Sequence, residues 1–146
     1  MKKNGLELGI VGLGKIGGNL AFQALGKGMH VVGLTKGEPP EELLKKGLIK
    51  ADSAKGFLDH LNPPRMVFIY IPAGPVIDTL IDELTDVLEK GDILIDGGNS
   101  YWGDSIRRYN RLKERGFQYI DLGTSGGTEG ARKGACFMAG GEDAAI

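Results

Sequence analysis

Apolar residues in this chain gather in short runs. LELGIV (6–11), HVVGL (30–34), MVFIYI (66–71), DILID (92–96) and QYIDL (118–122) are rich in Ile, Val and Leu. None alternates cleanly between apolar and polar, so each predicts a parallel strand buried on both faces rather than one with a wet side. Helix-length segments lie between them. In the clearest, Val76, Ile77, Leu80, Ile81, Leu84, Val87 and Leu88 recur at spacings of three and four and predict one apolar helix stripe. Others are expected through Asn19 to Leu25 and up to Arg115. Strand–helix–strand repetition of this kind predicts a doubly wound parallel α/β sheet with helices on both faces. Pro39, Pro40, Pro63 and Pro64 fall between elements, where a missing N–H does no harm.

Composition narrows the function. At 146 residues the chain has room for one core. Eighteen basic against 19 acidic residues leave a formal charge of -1, which predicts neither a nucleic-acid nor an anionic-membrane partner and favours a small molecule. No run approaches the roughly 18 apolar residues that span a bilayer. Cys136 is a lone cysteine without an internal disulfide partner, and MKKNGLELGIVG has too short an apolar run for a signal peptide; both fit a reducing cytoplasm. Glycine stands out, with 25 residues, more than twice its average share of about 7%. Most of these glycines directly follow the strand runs, where a turn is needed.

The first such turn is Gly12-Leu13-Gly14-Lys15-Ile16-Gly17, between a strand and a helix. This is G-x-G-x-x-G in the context that gives it meaning. The first glycine permits a tight turn, the second lets a pyrophosphate approach the backbone, and the third lets helix and strand pack closely. The helix N-terminus then meets the anion with free N–H groups and partial positive charge. A Rossmann-type dinucleotide site is predicted; a tight turn that binds nothing is the plainer reading. A Walker A loop is excluded, because Lys15 precedes Ile rather than Ser or Thr. The second strand ends Leu34-Thr35-Lys36, with no carboxylate until Glu38. A hydroxyl followed by a cation suits a 2′-phosphate better than a ribose diol, which favours NADP while leaving NAD possible.

Two further turns follow strand ends: Asp96-Gly97-Gly98-Asn99-Ser100 and Gly123-Thr124-Ser125-Gly126-Gly127. Ligands of open α/β sheets bind at that edge, so the three turns can converge on one crevice. Asn99 can donate and accept to a carboxamide or hydroxyl, and Ser125 with its neighbouring amides can cradle an anion. Alternatively Asn99, or Ser100, caps the helix that follows. Arg107, Arg108, Arg111, Lys113 and Arg115 read as a solvated helix face, and Glu129 and Lys133 as a solvated loop pair. His30 and His60 carry no assignment, and no metal cluster is predicted.

DGGNSYWGDSIRRYNRLKERGFQYIDLGTSGGTEGARKGACFMAGG, with GIVGLGKIGGNL before it and YIPAG between, resembles the 6-phosphogluconate dehydrogenase family over essentially the whole chain. That resemblance implies oxidation of 6-phosphogluconate by NADP or NAD, then decarboxylation to ribulose 5-phosphate in the pentose phosphate pathway. It implies that Gly12, Leu13, Gly14, Lys15, Ile16 and Gly17 hold the pyrophosphate. Thr35 and Lys36 take the place of an Asn-Arg pair at the 2′-phosphate, and Ile71, Pro72 and Ala73 border the cofactor. Asn99 touches both ligands, and Ser125, Gly126 and Gly127 hold the sugar acid. Thr128 stands where many members have Glu or Val.

The same resemblance places the family's catalytic Lys and Glu downstream, on segments outside this chain. Residues 1–146 are then expected to be an incomplete NAD(P)-binding Rossmann domain, without its last strands or the helical domain that pairs full-length relatives as homo-oligomers. A related β-hydroxyacid dehydrogenase domain and a non-catalytic nucleotide-binding module are the alternatives. A pure sensor has no use for a sugar-acid pocket facing the phosphate turn, which favours the enzyme family.

Overall fold

A computed structural model describes residues 5–146; Met1 to Asn4, part of the stretch read above for a signal peptide, lie outside them. The elements are β1 (Glu7–Val11), α1 (Gly17–Gly26), β2 (His30–Leu34), α2 (Glu41–Lys45), β3 (Ile49–Ala51), α3 (Lys55–His60), β4 (Met66–Ile69), α4 (Pro75–Thr85), β5 (Ile93–Asp96), α5 (Trp102–Glu114), β6 (Gln118–Ser125), α6 (Gly127–Lys133) and β7 (Cys136–Gly140). All seven strands join one sheet in the order β3-β2-β1-β4-β5-β6-β7, parallel except for β7 against β6. This is the doubly wound α/β arrangement that the pattern predicts, reversing direction between β1 and β4.

The inner strands feed both faces of the sheet. Val11, Val32, Val67, Ile69, Leu94 and Tyr119 pack with Phe57 of α3, Ile77, Ile81 and Leu84 of α4, and Leu112 of α5. Leu8, Ile10 and Val31 point the other way, onto Ala21 and Ala24 of α1 and Leu43 of α2. Two strands escape the hydrophobic pattern. β3 has three residues, IKA, with the lysine exposed, and β7 (CFMAG) is exposed at every position. Neither carries enough buried apolar residues to signal itself. β6 also runs to Ser125, three residues past the expected end, because antiparallel pairing with β7 extends the ladder through Gly123↔Met138 and Ser125↔Cys136. Gly123, Thr124 and Ser125 are therefore strand rather than turn.

Glu129 and Lys133 stand on α6, not in a loop, and bond each other at 2.8 Å one turn apart. No helix among the described residues is long and apolar enough to cross a membrane.

Candidate functional site

The three glycines of the first turn differ in the room around them. Gly12 has a φ of +89°, open to glycine at little cost, and a Cβ there would run into the carbonyl of Tyr70. A Cβ on Gly17 would meet the carbonyl of Gly12 and come within 3.0 Å of the Tyr70 side chain, so helix and strand touch at this point. At Gly14 a Cβ would meet nothing within 4 Å. The middle glycine faces open space. α1 has no side-chain cap at Ile16, and the N–H groups of residues 13–16 donate to no backbone carbonyl among the described residues. Unclaimed amides at the positive end of a helix are suited to receive an anion.

Beside this turn lies a cavity of about 570 Å3, bounded by Gly12 to Gly14, by Thr35 and Lys36 after β2, and by Ile71 and Pro72 after β4. Val76, Thr79, Leu80 and Glu83 of α4 close its far wall. It sits where the strand order reverses, between β1 and β4. Lys15, Ile16, Gly17, Ala73 and Asn99 are not part of its wall. Glu38 is engaged elsewhere, 2.7 Å from the ammonium of Lys50. Glu83, one helical turn from the apolar stripe residue Leu80, is a carboxylate at this cavity that sequence spacing alone does not single out.

At the end of β5 a buried network sets the loop that carries Asn99. Asp96 accepts from the amide of Gly98 (2.9 Å), the hydroxyls of Ser100 (2.7 Å) and Tyr119 (2.8 Å), and the Arg108 guanidinium (3.3 Å). Arg108, with no exposed surface, also donates to the Gly74 carbonyl (3.1 Å) and forks onto Asp78 (2.9 and 3.2 Å). The solvated-face reading of α5 thus fails at Arg108. Arg107, by contrast, is half exposed and reaches Asp78 from outside (2.9 Å). Neither Asn99 nor Ser100 caps α5: Tyr101 occupies that position and Ser100 is turned onto Asp96. Asn99 adopts the left-handed region (φ 56°), is exposed, and its side chain makes no hydrogen bond among the described residues.

Asp78 is held well below the usual carboxylate range, chiefly by hydrogen bonds from Arg108 and then Arg107 against the cost of burial. Its folded form therefore binds its proton more weakly than the unfolded chain does, and the stabilisation is fully present above about pH 4. It is lost as pH falls through and below that range. Urea midpoints measured between pH 7 and pH 3 should decline, and the decline should be smaller in an Asp78→Asn variant.

Tyr70 ties the turns together. Its hydroxyl pairs with Thr124 at 3.0 Å, its ring fills the space a side chain on Gly97 would need, and its carbonyl lies over Gly12. From the other side, Arg132 of α6 donates to Asn19 of α1 (2.9 Å), forks onto Glu42 (2.9 and 3.0 Å) and stacks 3.7 Å from the centre of the Phe22 ring. Ser125, Gly126 and Gly127, exposed at the junction of β6 and α6, are carried by a strand and helix anchored on the phosphate-turn helix. Gly126 and Gly127 take φ values of 114° and 61°, which admit this sharp entry into α6.

A nucleotide-type crevice at the switch point of a doubly wound sheet defines a dehydrogenase-like binding domain, and this chain belongs to the family described as the NAD binding domain of 6-phosphogluconate dehydrogenase, matched over residues 7–146. Among curated relatives it is 42% identical over 138 residues to the putative 6-phosphogluconate dehydrogenase YqeC of Bacillus subtilis, covering 94% of this chain and 46% of that one. With the decarboxylating 6-phosphogluconate dehydrogenase 1 of Saccharomyces cerevisiae it shares 39% over 145 residues, 95% of this chain and 30% of that one. The chain thus spans less than half the length of these relatives. A solved 6-phosphogluconate dehydrogenase of Plasmodium falciparum, studied with NADP+ and with 6-phosphogluconate, superposes with a TM-score of 0.82 at 33% identity, over 95% of this chain and 31% of that one. The 3-hydroxyisobutyrate dehydrogenase of Mycobacterium tuberculosis, at 20% identity and a TM-score of 0.86 over 97% of this chain and 48% of that one, shares the fold.

Proposed function

We propose that this chain is the NADP-binding part, and one wall of the substrate site, of a 6-phosphogluconate dehydrogenase. The observation that carries the reading is the bare backbone at Gly14 opening beside a cavity whose far end presents Thr35 and Lys36. The amides of residues 14–16 hold the pyrophosphate, and the Lys36 ammonium with the Thr35 hydroxyl holds a 2′-phosphate. Glu38 is paired with Lys50, and Lys36 forms no ion pair among the described residues, so its charge is free for the phosphate although Glu83 shares the cavity wall. Bound there, the dinucleotide supplies the nicotinamide that accepts a hydride from C3 of the sugar acid. Asn99, with both amide functions unengaged, orients the carboxamide and a substrate hydroxyl. Ser125 and the amides of Gly126 and Gly127 receive the substrate's carboxylate.

Calorimetry tests the cofactor preference. NADP(H) is expected to bind more tightly than NAD(H), and Lys36→Ala should weaken NADP(H) alone by about tenfold or more, the value of a hydrogen bond to a charged group. Equal affinities in the unmodified chain would overturn it.

Proton transfer is the work of groups outside residues 1–146. Lys133 and Glu129, the acid–base pair nearest Ser125 in sequence, hold each other on the surface of α6. Positioned acid–base groups supply roughly 10² to 10⁴ in rate, so the purified chain should form no NADPH from 6-phosphogluconate above background. Steady turnover at about 1 per second or faster would place the base inside this chain.

A further inference from the structure

The cavity at the phosphate turn changes character across its width. Away from Thr35 and Lys36 it is walled by the apolar side chains of Ile71, Pro72, Val76 and Leu80. α4 gives it one continuous helix face, because Val76, Thr79, Leu80 and Glu83 stand three, four and seven residues apart. Apolar sides suit the faces of a ring, and the polar groups among them then meet the ring's edge. α4 supplies two such groups. Thr79 donates its hydroxyl proton to the Pro75 carbonyl at 3.4 Å, which leaves its oxygen as an acceptor. Glu83 is exposed, and its carboxylate forms no ion pair or hydrogen bond among the described residues. The other acids along this helix are all engaged: Asp78 by Arg107 and Arg108, Asp82 by Arg111, and Asp86 by Arg115. The α4 wall therefore offers acceptors alone, one of them an unclaimed charge.

We infer that Glu83 selects the base of the dinucleotide: its carboxylate accepts a hydrogen bond from the exocyclic amine of adenine, so that a 6-aminopurine is taken in preference to a 6-oxopurine. The inference rests on the cofactor reading above, in which the first turn takes the pyrophosphate and Lys36 the 2′-phosphate, leaving the α4 side of the cavity for the base. The amine is the donor on adenine's edge, and the ring nitrogens are acceptors. Hypoxanthine puts a carbonyl oxygen where adenine has the amine, and an ionised carboxylate has no proton to offer it. Directed at the phosphate, the same carboxylate would oppose binding; directed at the amine, it favours it.

NADPH reports its own binding through nicotinamide fluorescence, and its hypoxanthine analogue carries the same reporter. The unmodified chain should bind NADPH about tenfold more tightly than the analogue, as loss of a hydrogen bond to a charged group requires. Glu83→Gln should bring the two affinities together, because an amide turns its N–H to a carbonyl as readily as its oxygen to an amine. Glu83 is exposed, so the circular dichroism spectrum of the variant should match that of the unmodified chain. Failure of the folded, unmodified chain to bind NADPH would overturn the cofactor site and this assignment with it. NADPH binding without preference over the analogue, or a preference that Glu83→Gln leaves intact, would overturn the role of Glu83 alone.

Discussion

Replacing Arg108 by alanine is expected to cost about 3 to 5 kcal/mol of folding stability, the penalty for removing one partner of a buried ion pair and leaving the other charge uncompensated. The loss falls on Asp96, which has no exposed surface, and on Asp78, at the start of α4. It also releases the Gly74 carbonyl and the Ser100 hydroxyl. Urea denaturation at neutral pH is the measurement. Lys133→Ala provides the contrast, because its surface pair with Glu129 contributes about 0 to 1 kcal/mol. If the two variants unfold at the same midpoint, the Arg108 network does not hold the fold. Where Arg108→Ala remains folded, the loops after β4 and β5 should exchange amide protons faster than the rest of the sheet.

Gly14→Val is expected to abolish measurable cofactor binding with little change in stability. The side chain enters the open space where the proposed pyrophosphate must approach the backbone, and its Cβ meets no protein atom within 4 Å. Gly17→Val should behave in the opposite way, because its Cβ meets the backbone of Gly12 and folding must give before binding is tested. Thermal unfolding and NADPH titration on the two variants separate the cases. A folded Gly14→Val chain that still binds NADPH would make this turn a structural one only.

Much of this architecture was legible in the chain because parallel strands buried on both sides are written as plain apolar runs. β1, β2, β4, β5 and most of β6 lie where those runs lie, within a residue or two at their ends. What stayed hidden had weak or misleading signals. β3 is only three residues long with a lysine at its centre, and β7 is exposed throughout, so hydrophobicity does not mark them. The arginines of α5 share one composition and spacing, and only tertiary contact separates buried Arg108 from half-exposed Arg107. Asn99 followed by Ser100 looks like a helix cap, yet the helix begins later because Asp96 captures Ser100. The glycine spacing of the first turn was legible in full, since the three positions differ through backbone clearance, which sequence position dictates once a strand precedes and a helix follows.

The Tyr70–Thr124 bond and the Arg132 clamp on α1 make the phosphate turn and the Ser125 strand parts of one rigid unit. If the proposed cofactor binds the first turn and tightens that unit, the proposed substrate arriving at the second spends less on the same tightening, and the saving is equal in reverse. Arg132→Ala leaves both sets of contacting atoms in place and cuts one of the two links between them, the Tyr70–Thr124 bond remaining. Such a chain would take up the proposed cofactor and substrate with a smaller effect of each on the other.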